Sequence, residues 1–353
     1  MNKILLAIVG MAILGSCASE QRRMSQHASV HAAKHSQHLK QIDMKKIQFD
    51  SEGAQLTGNL FYPPNLDANQ TYPAIVVSGS WTTVKEQMAG LYAEKLANQG
   101  FITLAFDFRN FGESEGEPRF YESPAAKKLD IQNAVTYLAT LPEVNASQIG
   151  AMGICAGAMY TVMAAAEDDR IQTVVTAASW LHDAEAVKLF YGGEEGVQAK
   201  IHAAQAAKRK YADEGVVEYI PTISTEDPGA AMYGPYDYYL NPSRGAIPQW
   251  SADKFAVMSW EDWLTADPMP SAPNLTVPTL MIHSDGAVLP QYTRNFFEKL
   301  GTSDKKLHWM ETDLESPFHQ FKYYDQTAEV NESIEEATSW FREKLTPRSI
   351  GSR

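Results

Sequence analysis

The sequence predicts an α/β fold: a mostly parallel sheet with helices on both faces and a cap inserted between two strands. Strand-like and helix-like segments alternate from residue 46 onward, which is typical of parallel strands connected by helices. The run YPAIVVSGS is short and apolar and ends in small residues, as buried parallel strands do. One segment, 181–272, breaks this alternation and is too long to be a loop of a compact domain.

The first elements predicted are the strands of a hairpin, KIQFD and LTGNLFYP, which turn at Ser51, Glu52 and Gly53. Gly100 ends the first amphipathic helix, and Ser123 with Pro124 opens the second. The further strands are predicted in YPAIVVSGS, FITLAFDFRNFG, QIGAMGIC, IQTVVTAASW, VPTLMIHSD and KKLHWMET. The helices are predicted in EQMAGLYAEKLANQG, in 123–141, from Ala156 onward, in PQYTRNFFEKLG and from Thr327 to Leu345.

The interrupting segment, 181–272, is interpreted as a cap over the carboxyl ends of the strands, and the core as residues 46–180 and 273–347. Within the cap, residues 196–213 have a helical pattern. The cap is also rich in aromatic residues: Tyr233, Tyr236, Tyr238, Tyr239, Trp250, Phe255, Trp260 and Trp263. Some of these must form the small core of the cap itself, and the others could face a ligand.

The amino terminus predicts a lipoprotein signal peptide over residues 1–16. MNK supplies a basic start, and ILLAIVGMAIL is an apolar stretch shorter than an ordinary membrane-spanning helix. The next residues, Leu14 to Cys17, resemble the lipobox of bacterial lipoproteins, in which the cysteine carries the lipid. Ala18 resembles the sorting pattern for the outer membrane. A plain amino-terminal helix or a signal peptide without lipid are the alternatives.

Residues 17–45 are predicted to be a flexible tether, because they are polar and lack a core pattern. Four histidines in it are spaced by four, four and three residues, which would place them on one helix face: His27, His31, His35 and His38. Zinc or copper binding is one interpretation. A solvated linker is the favoured one, because no carboxylate or cysteine completes a metal site.

The formal net charge of −13 argues against a partner that is a nucleic acid. The sequence contains neither a glycine-rich loop of the dinucleotide-binding type nor a His-Glu-x-x-His motif. It therefore implies no cofactor. If Cys17 carries a lipid, Cys155 has no partner for an intramolecular disulfide.

Cys155 lies in the run Gly-Ile-Cys-Ala-Gly between a predicted strand and a predicted helix, the setting of a nucleophile elbow. The residues two before and two after the nucleophile must be small, and they are Gly153 and Gly157. The backbone N–H of Ala156 would point at the oxyanion of a tetrahedral intermediate. A helix amino terminus also favours a thiolate. A buried core cysteine is the alternative interpretation.

From about residue 46 to 345 the chain resembles an α/β-hydrolase. The elbow resembles that of dienelactone hydrolases, which carry cysteine where esterases carry serine. Three stretches resemble bacterial hydrolases related to the X-prolyl dipeptidyl-peptidases: VKEQMAGLYAEKLANQGFITLAFDFRNFGESEGEPR, DIQNAVTYLATLP and IGAMGICAGAMY. The resemblance implies a triad in the chain order nucleophile, acid, histidine.

On this resemblance, Cys155 is the expected nucleophile, Asp285 the expected acid and His319 the expected base. Asp285 follows the strand in VPTLMIHSD, and a turn-forming aspartate is its alternative role. Relatives often have His-x-x-x-Tyr-Asp near the last helix, and here Gln320 has that spacing while His319 precedes it by one residue. His283 is a substitute base that is more typical of a structural histidine. Ser80 or Trp81 would supply the second oxyanion N–H.

The resulting hypothesis is a hydrolase of esters, lactones or thioesters that forms an acyl-cysteine on Cys155 and acts on a small-molecule acyl substrate. It would be lipid-anchored to the bacterial outer membrane and face the periplasm. Two alternatives remain open. One is a peptidase, suggested by the X-prolyl relatives. The other is a catalytically decayed binding lipoprotein, suggested by Gln320.

Overall fold

A computed structural model describes residues 42–345. Over these residues the strands, in chain order, are β1 (Asp43–Ser51), β2 (Ala54–Tyr62), β3 (Tyr72–Ser78), β4 (Ile102–Phe106), β5 (Val144–Ile154), β6 (Ile171–Ala177), β7 (Tyr219–Ile220), β8 (Ile223–Ser224), β9 (Met232–Tyr233), β10 (Phe255–Ala256), β11 (Thr279–His283) and β12 (Lys305–Trp309). An eight-stranded sheet has the order β1-β2-β4-β3-β5-β6-β11-β12. Strands β7 to β10 form two small pairs outside it.

The central sheet is mostly parallel. β1 and β2 pair in antiparallel fashion, as do β2 and β4, and every pair from β4 to β12 is parallel. The β1–β2 turn has positive φ at Glu52 (52°) and Gly53 (84°), the backbone that a two-residue hairpin requires. The predicted fold class, an α/β-hydrolase sheet with helices on both faces, is confirmed.

The helices, in chain order, are α1 (Met88–Ala97), α2 (Pro124–Ala139), α3 (Ala156–Ala165), α4 (Ala186–Phe190), α5 (Gly193–Glu214), α6 (Asp237–Leu240), α7 (Ser259–Thr265), α8 (Pro290–Lys299), α9 (Lys322–Asp325) and α10 (Thr327–Leu345). The chain crosses from β3 to its neighbour β4 through α1, and then from β4 past β3 to β5 through α2, in the opposite direction. Right-handed crossovers in opposite directions place their helices on opposite faces. Accordingly, α1 contacts α10, and α2 contacts α3.

One prediction about the boundaries is wrong. The tether was expected to extend to residue 45, but β1 already begins at Asp43, which pairs with Tyr62. Residues 43–46 are exposed, so their side chains give no apolar signal in the sequence. Their strand conformation comes from backbone pairing with β2, which is buried along most of its length.

The predicted cap segment contains α4 to α7, the four short strands and most of a 3-10 helix at Met269–Asn274. Its long helix, α5, covers the predicted helical stretch 196–213. The cap contacts the core through aromatic rings: the ring centroid of Trp81 lies 4.8 Å from that of Phe255 and 5.5 Å from that of Trp263. The cap and the core therefore share one apolar cluster.

Residues 1–41 and 346–353 lie outside the described part, so the signal peptide, most of the tether, Cys17 and the four clustered histidines remain predictions from sequence. Within residues 42–345, none of the helices is both long enough and apolar enough to cross a membrane.

A buried ion pair fixes the loops that follow β3 and β4. The Nζ atom of Lys85 lies 2.7 Å from Oδ2 of Asp107, and both side chains are fully buried. Asp107 also accepts hydrogen bonds from the backbone N–H groups of Lys85 and Glu113. The loop after β3 carries Ser80 and Trp81, so this pair supports the predicted oxyanion residues.

We expect Lys85→Met to lower the free energy of unfolding by about 3–5 kcal/mol, because it leaves the Asp107 carboxylate buried without its counterion. Lys46→Met is the matched control: Lys46 is 57% exposed in its pair with Glu113. Such exposed pairs contribute about 1 kcal/mol or less. Urea denaturation measures both variants, and equal losses of stability would contradict the structural role of the buried pair.

Candidate active site

The connection between β5 and α3 forms a strained turn centred on Cys155, which has φ 56° and ψ −121°. A Cβ atom on Gly153 would lie 2.4 Å from the carbonyl oxygen of Gly157. A Cβ atom on Gly157 would lie 2.4 Å from the carbonyl oxygens of Ser78 and Gly79. Only glycine fits at these two positions, and the close approach holds Cys155 in a backbone conformation that its side chain does not favour.

The Cys155 side chain lies against a cavity but is itself only 5% exposed. Burial raises the pKa of the thiol above its usual value. Hydrogen bonds from Ser80, Tyr324, the backbone of Ala156 and Gln320 lower the pKa only in part. The sulfur is thus surrounded by groups that stabilise a thiolate, and none of them is a base that would remove the proton at neutral pH.

The structure does not place His319 beside Cys155. Nδ1 of His319 shares a 2.7 Å hydrogen bond with Oγ of Ser284, and its Nε2 lies 3.5 Å from Oε1 of Glu329. Burial lowers the pKa of His319, while Glu329 opposes this shift. Within the described residues, no hydrogen bond joins this imidazole to Cys155, so the predicted base and nucleophile are not assembled.

Gln320 takes the place next to Cys155 that was predicted for the imidazole of His319. Its Nε2 donates to the carbonyl of Ala178 at 2.7 Å, and its Oε1 accepts from the N–H of Val288 at 3.1 Å. Nε2 also lies 3.3 Å from the hydroxyl of Tyr324. Both ends of the amide are therefore fixed, and an amide has no pKa that would let it accept the thiol proton.

Asp285 is also separated from His319. Its carboxylate is 72% exposed and forms a 2.9 Å ion pair with Arg294 on α8. The hydrogen bond from Arg294 lowers the pKa of Asp285. The group that contacts Nδ1 of His319, where a triad acid would bind, is the hydroxyl of Ser284. The predicted Cys155–His319–Asp285 chain of hydrogen bonds is absent from the described structure because each partner is held elsewhere.

His283 cannot replace His319. Its ring is fully buried against Trp309, and its Nε2 lies 3.0 Å from the carbonyl oxygen of Val288. Burial lowers the pKa of His283 to about 3, so the ring stays neutral at physiological pH. It does not line the cavity.

The predicted oxyanion residues are brought together with Cys155. Ala156, Ser80 and Trp81 all line the same cavity as the thiol. The loop that carries Ser80 and Trp81 continues into Thr82, whose N–H donates to Oε2 of the buried Glu122 at 3.1 Å. Glu122 had not been singled out in the sequence, because a lone glutamate in a loop has no distinguishing pattern.

The cavity has a volume of about 450 Å³, within the usual range for small-ligand pockets. Core residues form one side and cap residues, including Tyr236, Tyr239 and Trp263, form the other. Tyr239 had been noted only as one of the cap aromatics, yet its hydroxyl lies 3.3 Å from Oγ of Ser80. Among the described residues, no group of three or more histidine, cysteine or acidic side chains is placed to hold a metal ion.

Comparisons with known proteins agree with this architecture. Residues 52–310 match the family model described as X-Pro dipeptidyl-peptidase (S15 family). The chain belongs to this family of α/β-hydrolases. It is 32% identical over 302 residues to YcjY of Escherichia coli, an uncharacterized protein, in an alignment that covers 82% of this chain and 94% of YcjY.

Two solved structures have the same fold as this member of the family. The crystal structure of the hypothetical protein PA2218 of Pseudomonas aeruginosa superposes with a TM-score of 0.74 at 26% identity, covering 86% of this chain and 94% of PA2218. The α/β-hydrolase GrgF of a Penicillium species superposes with a TM-score of 0.71 at 20% identity, covering 86% of this chain and 99% of GrgF. The likeness to GrgF concerns the fold alone.

The surroundings of Cys155 predict the pH profile of its alkylation by iodoacetamide, measured in a Cys17→Ser background. Because burial raises the thiol pKa, we expect slow alkylation at pH 7, rising about tenfold per pH unit without a plateau below pH ~9. Gln320→His should raise the rate at pH 7 by at least about tenfold, since an imidazolium favours the thiolate.

His319→Ala is the matched control for this experiment. It removes an imidazole that contacts Ser284 and Glu329, so the alkylation profile of Cys155 should not change. A plateau below pH ~8 in the wild type, abolished by His319→Ala, would instead mean that His319 activates the thiol.

Proposed function

We propose that this member of the family hydrolyses activated acyl compounds, namely thioesters and reactive esters, through a covalent acyl-cysteine on Cys155. The observation that carries the proposal is the strained elbow, which holds the Cys155 thiol against a cavity with the N–H of Ala156 beside it. The family to which the chain belongs is one of hydrolases, which supports hydrolysis as the general reaction class.

In the first step the Cys155 thiol loses its proton to solvent, and the sulfur attacks the carbonyl carbon. The new C–S bond leaves an oxyanion that the N–H of Ala156 and an N–H from the loop at Ser80 and Trp81 stabilise. The oxyanion then collapses, and the bond to the leaving thiol or phenol breaks. Water attacks the acyl-cysteine, releases the acid and regenerates the thiol.

Gln320 determines which leaving groups this site can expel. A thiol or phenol leaves as a weakly basic anion, because its pKa is about 8.5 to 10. An amine must be protonated as it leaves, and Gln320 has no proton of suitable acidity to give. We therefore propose thioesters and aryl esters as substrates, in preference to peptides.

The same residue makes deacylation slow in this proposal. No base in the described site activates water, so the acyl-cysteine should accumulate. We expect p-nitrophenyl butanoate to give a burst of about one p-nitrophenolate per chain followed by slow turnover. Cys155→Ala should abolish the burst and lower the rate at least about 100-fold.

Two variants and a mass measurement complete the test. His319→Ala should leave burst and turnover unchanged, whereas Gln320→His should accelerate the slow phase by supplying a base. Intact-protein mass spectrometry should detect one butanoyl group on the wild type and none on Cys155→Ala. Equal rates for the wild type and Cys155→Ala, without an adduct, would refute the acyl-cysteine.

A second candidate function is binding without turnover, and the observation that favours it is the absence of an imidazole beside Cys155 in the described site. A binding protein would retain the cavity and give neither burst nor adduct. The experiment above therefore separates the two functions, because only the hydrolase forms a butanoyl adduct.

We also propose that Cys17, outside the described residues, carries a lipid that anchors the protein to the outer membrane on its periplasmic side. The lipobox-like sequence from Leu14 to Cys17 and the following Ala18 support this location. In a Gram-negative host, Cys17→Ser should move the protein from the outer-membrane fraction to the soluble periplasmic fraction and remove the incorporation of labelled palmitate. Ala18→Ser serves as the control. Unchanged fractionation of Cys17→Ser would contradict the anchor.

A further inference from the structure

Lys200 is the one charged residue that lines the cavity in the described part of the chain. It lies on the cap helix α5, whereas Cys155 lies on the core, so cation and thiol belong to different walls of the same space. All other side chains that line the cavity are apolar, aromatic or uncharged. A ligand in contact with Cys155 therefore shares the cavity with the side chain of a single cationic residue.

Lys200 differs from the other two lysines of α5 in having no acidic partner among the described residues. Lys208 lies 2.7 Å from Glu261, and Lys210 lies 2.8 Å from Glu218, both on the same helix as Lys200. No carboxylate among residues 42–345 lies within 4.0 Å of the Lys200 ammonium. This is notable in a chain with 43 acidic and 30 basic residues.

The Lys200 ammonium instead lies 4.6 Å from the centroid of the Trp260 ring. The side chain is half-buried, and this burial lowers the pKa of Lys200. Both facts describe a cation that has lost part of its water without gaining a counterion. An anion bound in the cavity would supply this counterion, because a nearby opposite charge favours the ammonium form of lysine.

We propose that the substrate carries a free carboxylate that binds Lys200, in addition to the ester or thioester that reacts with Cys155. This inference deepens the proposed function and rests on it for the identity of the reacting group. The aromatic walls select an apolar or aromatic body between the two groups. The proposed substrate is thus a dicarboxylic acid with an apolar body, in which one carboxyl group forms the ester or thioester and the other remains a free carboxylate.

A monoanion matches the site better than a phosphate monoester. The single positive charge of Lys200 compensates one negative charge. A phosphate monoester carries a charge of about −1.5 to −2 at pH 7. The second charge of the phosphate would remain uncompensated in a cavity that the aromatic side chains make largely apolar.

Binding to the Cys155→Ala variant, in which no acyl transfer occurs, tests the carboxylate site separately from the reaction. Isothermal titration calorimetry compares 3-phenylpropanoate, its neutral amide and 2-phenylethyl phosphate. We expect the carboxylate to bind about tenfold more tightly than the amide, the scale of a hydrogen bond to a charged group. We expect the phosphate to bind more weakly than the carboxylate.

Further substitutions on α5 assign this preference to Lys200. Lys200→Gln should remove the preference for the carboxylate over the amide, and Lys200→Arg should retain most of it. Lys210→Gln is the matched control, because it removes the same charge from the same helix at a position outside the cavity, and it should leave the preference intact. Circular dichroism checks that each variant is folded.

Equal affinities for carboxylate and amide, a preference that persists in Lys200→Gln, tighter binding of the phosphate, or no binding of any probe would each overturn the inference. The fate of the proposed function is decided by the burst of p-nitrophenolate in the wild type. A carboxylate preference without a burst would support the Lys200 site and refute the proposed hydrolase activity. A burst without the preference would support the hydrolase activity and refute the Lys200 site.

Discussion

The close approach of β5, the Cys155 turn and β3 is the constraint on which the site depends. Gly157 lies so near the carbonyl oxygens of Ser78 and Gly79 that a methyl group cannot be inserted, and Gly153 is similarly packed against α3. The chain can turn from strand to helix there only with Cys155 at positive φ. This geometry raises the thiol above the end of the sheet, next to the first N–H groups of α3. Every other feature of the site is arranged around that fixed sulfur.

A second set of buried contacts joins the three parts that surround the thiol. The Glu122 carboxylate accepts hydrogen bonds from the N–H of Thr82, from Nζ of Lys127 and from the hydroxyl of Tyr160. The backbone N–H of Glu122 donates to Oγ of Ser259 in the cap. The loop after β3, the helix that follows Cys155 and the cap are thus tied to one buried residue. Such a network holds its members in one arrangement because an unpaired buried charge would be costly.

The proposed chemistry depends on the loop before α9, which places an amide and not an imidazole beside Cys155. Gln320 faces Cys155 and is held at both ends of its amide, while the neighbouring His319 faces Ser284 and Glu329. Among the described residues, the thiol consequently has hydrogen-bond donors around it but no basic side chain to take its proton, and burial keeps its pKa high. The proposed restriction to activated acyl groups follows from the presence of an amide rather than an imidazole at this place.

The sequence by itself determined which segments of the core form strands and helices, that the sheet is mostly parallel, and the turn at Cys155, whereas the order of the strands in the sheet comes from the structure. These depend on local patterns: apolar runs, the alternation of strand and helix, and small residues two positions from the nucleophile. The start of β1 at Asp43 escaped detection because an exposed strand paired only through its backbone has no apolar pattern.

Only the tertiary structure decided which side chains reach Cys155. The orientation of Gln320 depends on the carbonyl of Ala178 and the N–H of Val288, which come from distant parts of the chain. Asp285 is drawn to Arg294 on the surface, although it follows a core strand as a triad acid would. The position of Lys200 on the cavity wall was also decided by the tertiary structure, because it depends on how the cap packs on the core. A sequence motif specifies the local backbone, whereas the partners of a side chain are set by contacts between segments that are far apart in sequence.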